Sequence, residues 1–320
     1  LLTSCSSDDA SESVLPVNPV GTAVSLQLSS VEWESTRATT DNTSMALFLV
    51  SKQPDWPWYV QQGRVTRIAD GSWQSLMEVK KDTTYYIYGF MPADGIAQPE
   101  LTAIDGDYSK GVRMTFRDLP AVTDEDICVL TGVGKAVDGT PTAGHYTYAA
   151  MESNYVNLLF GHIYAALDIN IKVGTDYDRL RTIRLKGMQM LSSIEKANVT
   201  IELKNDGSTM AASTPATTGT SSQADIIINN GEGMDLTTEA QRLAGFFAPS
   251  YPGTMRLVST YDVYDKAGNL LRENSRAENK LPDLSAVGTG QRKVLTLTVD
   301  PTYLYMLSDP DLDSPTVTLN

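Results

Sequence analysis

Period-two alternation of apolar and polar residues constrains this chain more than any other feature. In HIYAALDINIKV, the residues Ile163, Ala165, Leu167, Ile169, Ile171 and Val173 form one face, and Tyr164, Asp168, Asn170 and Lys172 form the other. Successive side chains of a strand point to opposite faces, so this spacing buries one face and wets the other only if the segment is extended. TAVSLQLSS repeats the pattern, with Val24, Leu26 and Leu28 opposed to Ser25, Gln27 and Ser29. So do VTIEL (199–203), MRLVSTYDVYD (255–265), VLTLTV (294–299) and the final PTVTLN, where Val317 and Leu319 alternate with threonines. Between these runs stand ADGS, PADG, VDGT, KNDGS and DKAGN. Asp-Gly and Gly-Asn pairs tolerate the left-handed conformations of tight hairpins, so the runs read as antiparallel strands of β-sandwiches. Helices are expected to be few and short; MDLTTEAQRLAGFF (234–247) is the helical candidate.

A chain of 320 residues is long for a single core, so two domains are expected. The boundary is read near MESNY (151–155), which gives a polar tether over 1–20, a first sandwich over 21–153 and a second over 154–320. STMAASTPATTGTSSQAD (208–225) is rich in Ser, Thr and Ala, lacks periodicity, and reads as a long exposed loop within the second domain.

The net charge of −14 repels phosphate backbones and anionic headgroups, so nucleic acid is excluded as a partner and direct electrostatic membrane docking is disfavoured. No apolar run approaches the ~20 residues of a membrane-spanning helix. Two cysteines argue against a disulfide scaffold. Cys128, in the apolar run DICVLTGV, reads as a small buried hydrophobe. His162 reads as a structural imidazole, because no nucleophile or carboxylate pattern accompanies it. Asp309, Asp311 and Asp313 in DPDLD lack the Gly bend and later Glu of a calcium loop and read as a Pro-stiffened acidic turn. No metal-ligand spacing, phosphate loop or nucleophile motif occurs, so no enzyme activity, metal or cofactor is expected. QPDWPWYV (53–60) sets Trp56, Trp58 and Tyr59 between prolines. These aromatics either cover a sandwich edge or stack on sugars, so a surface-anchored glycan-binding lipoprotein is the alternative function.

Leu2-Thr3-Ser4-Cys5 resembles a bacterial lipobox, with Ser6, Ser7, Asp8 and Asp9 following as at the start of surface lipoproteins of Bacteroidetes; the other reading of Cys5 is a free terminal thiol. Stable anchoring needs more than one acyl chain. Most of the remaining chain, from Val24 to Asn320, resembles the fimbrillin family, the type V pilus subunits of Bacteroidetes. The resemblance rests on STRATTDN, KKDTTYYIYGFMP, VNLLFGHIYAALDINIKVGTDYDRLRTIRLKGM, VYDKAGNLLRENSRAENKL and LTLTVDPTYLYMLSDPDLDSPTVTLN. It implies two transthyretin-like sandwiches and a structural subunit of a cell-surface fimbria, held at the outer membrane only through a lipidated Cys5 and supporting adhesion to a host glycan or protein. Its partners would be other pilus subunits, joined head to tail, and a maturation protease.

In that family an Arg-specific protease cuts after an Arg that follows the first strand. Arg37-Ala38 matches this position, and the strand bearing Val24, Leu26 and Leu28 would then leave. The other reading of Arg37 is a surface residue in a loop. A sandwich short of one strand exposes unpaired backbone and an apolar groove, which a strand from another subunit can fill. Leu304, Met306, Leu307, Val317 and Leu319 make part of 303–320 the candidate donor; the other reading is a last strand within its own domain. Head-to-tail addition does not close and so yields a filament.

Overall fold

The computed structural model describes residues 23–33, 43–52, 58–134, 140–150, 155–206, 209–215, 222–243, 245–249, 254–281, 288, 290–299 and 316–319. These fold into an all-β protein built around two hydrophobic cores.

The first core lies between a nine-stranded and a four-stranded sheet. The path of the large sheet runs Gln27–Trp33, Tyr155–His162, Cys128–Val133, Thr83–Met91, Ser44–Ser51, Tyr59–Arg67, Trp73–Ser75. Every residue of Ser44–Ser51 is buried, as expected of a central strand covered on both faces. The small sheet runs Thr209–Pro215, Lys196–Lys204, Gly111–Pro120, Glu100–Ala103. In Lys196–Lys204 the alternation is strict: Ala197, Val199, Ile201 and Leu203 are buried and the residues between them half-exposed. Phe90 of the large sheet meets Phe116 of the small one edge to face, with ring centroids 5.5 Å apart, which joins the two layers.

The second core lies between two five-stranded sheets. In one, Ala165–Val173 pairs with Arg292–Val299, which pairs in turn with Thr316–Leu319. In the other, Arg181–Ser192 lies between Ser222–Ile227 and Met255–Asp265, with Leu270–Lys280 beyond. The DKAGN signal closes the hairpin between the last two strands. There Asp265 Oδ1 accepts from the backbone N–H groups of Ala267 (2.9 Å) and Asn269 (2.8 Å), while Gly268 takes φ = +87°.

Four sequence expectations change. Two pairings are parallel: Gln27–Trp33 on Tyr155–His162, and Ala165–Val173 on Arg292–Val299. The described residues of segment 234–247 include no helix; they form short strands at Met234–Asp235, Gln241–Arg242 and Phe246–Ala248, because pairing with neighbouring strands outweighs local propensity. Segment 208–225, expected as a loop, contributes the strands Thr209–Pro215 and Ser222–Ile227. A boundary between 153 and 154 does not separate the cores, since Val156, Leu158 and Phe160, and later Val199, Ile201 and Leu203, all belong to the first.

The crossover lies at 163–164, where the long alternating run bends. Tyr164, expected on the wet face, is fully buried in the first core and donates its hydroxyl to the carbonyl of Pro120 at 2.8 Å. A backbone bridge between Thr123 and Phe247 ties the two sandwiches together.

Candidate functional site

Two sheet edges carry those of the residues expected to function in assembly that are described, namely Val24, Leu26, Leu28, Val317 and Leu319. At the first, the run expected as one strand is divided in two. Ala23–Ser25 pairs antiparallel with Glu78–Lys80, which sets Val24 opposite Val79. Gln27–Trp33 pairs parallel with Tyr155–His162, from Tyr155↔Gln27 to Phe160↔Trp33. Leu26 is the joint: its N–H donates to Met77 O at 2.8 Å, and its side chain is buried in the first core. Leu28, half-buried, packs on the same core. The strand Gln27–Trp33 ends the path of its sheet, with Tyr155–His162 as its neighbour. Removal of the whole segment 23–33 would therefore uncover a ladder edge and the apolar seat of Leu26 without cutting through the middle of the large sheet.

The second edge is Thr316–Leu319, which ends its sheet and pairs antiparallel with Arg292–Val299, setting Val317 opposite Leu297 and Leu319 opposite Leu295. The two edges belong to different sandwiches. Cys5, Arg37, Ala38, Leu304, Met306 and Leu307 lie outside the described residues, as does Trp56. Trp58 is half-buried against the first core, edge to face with Tyr86 (5.8 Å) and Tyr108 (5.6 Å). These contacts pack it against the sandwich.

A polar cluster that the sequence reading did not assemble lies at the end of the first sandwich. Cys128 opens one strand, His162 closes its antiparallel neighbour, and the register sets them directly opposite each other. Asp126 stands two residues before Cys128. His162 Nδ1 lies 2.6 Å from Asp126 Oδ2 and 3.4 Å from Cys128 Sγ. The Asp126 and His162 side chains are 8 % and 1 % exposed, and Cys128 is fully buried. No sequence spacing reveals the trio, because 34 residues separate Cys128 from His162 and only strand register joins them. In the second sandwich, buried Asp168 receives Arg292 Nε at 2.6 Å and Arg242 Nη2 at 3.5 Å.

Among the described residues, no helix is long and apolar enough to cross a membrane. Fold and edges together define a class: an all-β protein of two sandwiches, with the first and last described strands at the margins of separate sheets. Within that class the chain is similar in structure to a fimbrial protein from Bacteroides vulgatus, at a TM-score of 0.52 and 13 % identity, over 92 % of this chain and 98 % of that one. That likeness establishes a shared fold. It is also similar to a "putative cell adhesion protein" from Bacteroides ovatus, at a TM-score of 0.44 and 12 % identity, over 93 % of this chain and 96 % of that one. No protein-family model matches the chain, and a search of curated proteins returns no match.

Proposed function

We propose that this chain is a structural subunit of a cell-surface fimbria that supports adhesion and works by assembly, not catalysis. The observation that carries the reading is the first strand: a marginal strand, seated by Leu26 in the first core, whose departure would leave an apolar groove and an open ladder. The fold shared with a fimbrial protein supports it. The two sandwiches act as the two domains, divided by core membership.

In this reading the precursor is exported and held at the outer membrane by acylated Cys5. A trypsin-like protease cuts between Arg37 and Ala38, and the strand bearing Val24, Leu26 and Leu28 leaves. A donor segment from 303–320 of another subunit, using some of Leu304, Met306, Leu307, Val317 and Leu319, restores ladder and core by β-strand addition. The partners are other pilus subunits in a head-to-tail polymer, the protease, and a glycan or protein ligand on the host.

Limited digestion of the purified full chain with a trypsin-like protease tests this. The expected product begins at Ala38 and forms oligomers that resist SDS, while Arg37→Ala protein stays uncut and monomeric. Cleaved protein that remains strictly monomeric sinks the proposal.

A further inference from the structure

We propose that Asp126, Cys128 and His162 form a binding site for one zinc ion at the junction end of the first sandwich. The side-chain ligand atoms of all three lie within 4.8 Å of one another. The arrangement is not that of a nucleophilic relay. A relay sets the acid on one imidazole nitrogen and the nucleophile on the other, so that a proton can pass across the ring. Here the carboxylate and the thiol converge on the same nitrogen, Nδ1. Three Lewis-basic groups whose ligand atoms lie this close together can hold one cation.

The spacing fits zinc. Bonds of about 2.0–2.3 Å to N, O and S arranged tetrahedrally set ligand atoms about 3.3–3.6 Å apart. The Sγ–Nδ1 distance is already 3.4 Å. The Oδ2–Nδ1 distance of 2.6 Å needs to open by about 0.7–1.0 Å, which a swing of Asp126 supplies from its position before the strand begins.

The donor set selects the ion. A thiolate with an imidazole disfavours calcium and magnesium, which take all-oxygen shells, and suits zinc. Charge balance points the same way. One carboxylate, one thiolate and one neutral imidazole around a divalent cation sum to zero, and a neutral assembly is what a site this buried tolerates. Binding displaces the thiol proton to solvent and keeps the single ring proton of His162 on Nε2, leaving the fourth position for water.

The location gives such an ion a role. Ile163 N–H donates to Ile127 O at 2.9 Å immediately beside the trio, and the Gly290 N–H donates to Tyr164 O at 3.2 Å just beyond it. A cation here would staple the strand Tyr155–His162, on which the first strand rests, to Cys128–Val133 at the point where the chain passes into the second sandwich.

Cobalt serves as the optical probe. The full chain, stripped with a chelator and kept reduced, is titrated with Co²⁺ and then with Zn²⁺. The expected result is one equivalent bound, with a thiolate-to-cobalt charge-transfer band and tetrahedral d–d absorption, both bleached by one equivalent of Zn²⁺. The band persists in Cys5→Ser, disappears in Cys128→Ser, and in Asp126→Asn requires at least about tenfold more cobalt, since loss of even a supporting contact costs that much. If Cys128→Ser does not fold, Cys5→Ser decides alone: the chain has two cysteines, so a band there must come from Cys128. No uptake, uptake without the charge-transfer band (cobalt held by surface carboxylates only), or loss of the band in Cys5→Ser overturns the proposal.

Discussion

The backbone N–H of Leu26 donates to the carbonyl of Met77 at 2.8 Å, between two short strands that pair with different partners. This contact directs the Leu26 side chain into the first core, where it is 1 % exposed. Truncating a fully buried leucine removes its transfer free energy and leaves a cavity. Leu26→Ala is therefore expected to lower unfolding stability by about 2–4 kcal/mol, and half-buried Leu28→Ala by clearly less. Urea unfolding followed by Trp fluorescence checks the order. Equal losses would mean that Leu26 does not anchor the strand.

Gly111 takes φ = +127°, and a Cβ placed there would lie 2.1 Å from the carbonyl oxygen of Leu203 on the paired strand. Left-handed backbone is strained for any other residue, and here the neighbouring atom is backbone and cannot swing away. Gly111→Ala should cost at least about 2 kcal/mol. The same substitution at Gly106 (φ = +73°), where nothing lies within 4 Å, should cost less because only the strain applies. Paired thermal melts of the two variants read the difference.

Asp168 and Arg292 cross the parallel pair of the second sandwich, with the carboxylate largely buried and the guanidinium about a third exposed. Removing Arg292 leaves the largely buried Asp168 carboxylate with Arg242 Nη2 at 3.5 Å, whereas removing Asp168 leaves two partly exposed arginines that water can solvate. Arg292→Ala is expected to lose about 1–3 kcal/mol, and Asp168→Ala less, because solvent screens the partly exposed arginines it leaves behind. A double-mutant cycle with a coupling near zero would show that the pair is ornamental.

Burial holds several tyrosines in the neutral form. It pushes the hydroxyls of Tyr148 and Tyr261 up to about 12, and raises Tyr88, Tyr164 and Tyr177 further. Unfolded tyrosine titrates near ~10. A folded value above the unfolded one contributes stability that is complete below about pH 10 and is lost as pH climbs through the folded values. The protein should hold its fold to about pH 10 and then unfold cooperatively, with tyrosinate absorbance and loss of far-ultraviolet dichroism rising together. Tyrosinate appearing in full near its free value while the sheets persist would contradict this.

Much of the fold is legible in the chain. Alternation marks 163–173, 199–203 and 255–265 as strands because a half-buried sheet demands it, and Asp265 announces its hairpin because a short carboxylate can bind the turn's own backbone. The segments 208–225 and 234–247 mislead for the opposite reason. Their strands follow from the edges available beside them, and their composition does not encode that edge.

The candidate edges divide in the same way. That Leu26 points inward follows from its place in the alternation. That its segment splits at Leu26, with one half pairing with Glu78–Lys80 and the other parallel with Tyr155–His162, depends on partners about 50 to 130 residues away, and no local signal carries that register. The convergence of Asp126 and Cys128 on His162 has the same origin.

By itself the sequence determined a strand-built protein, its principal turns, and a first and last strand with one apolar face each. These follow from forces that act between near neighbours: side-chain alternation, turn conformation and local hydrogen bonding. Only the tertiary structure decided which strands lie at the margins, where the chain crosses between cores, and which polar groups meet in the interior. Those outcomes come from long-range backbone pairing and from burying two apolar faces against each other, and their energies exist only once distant segments are in contact.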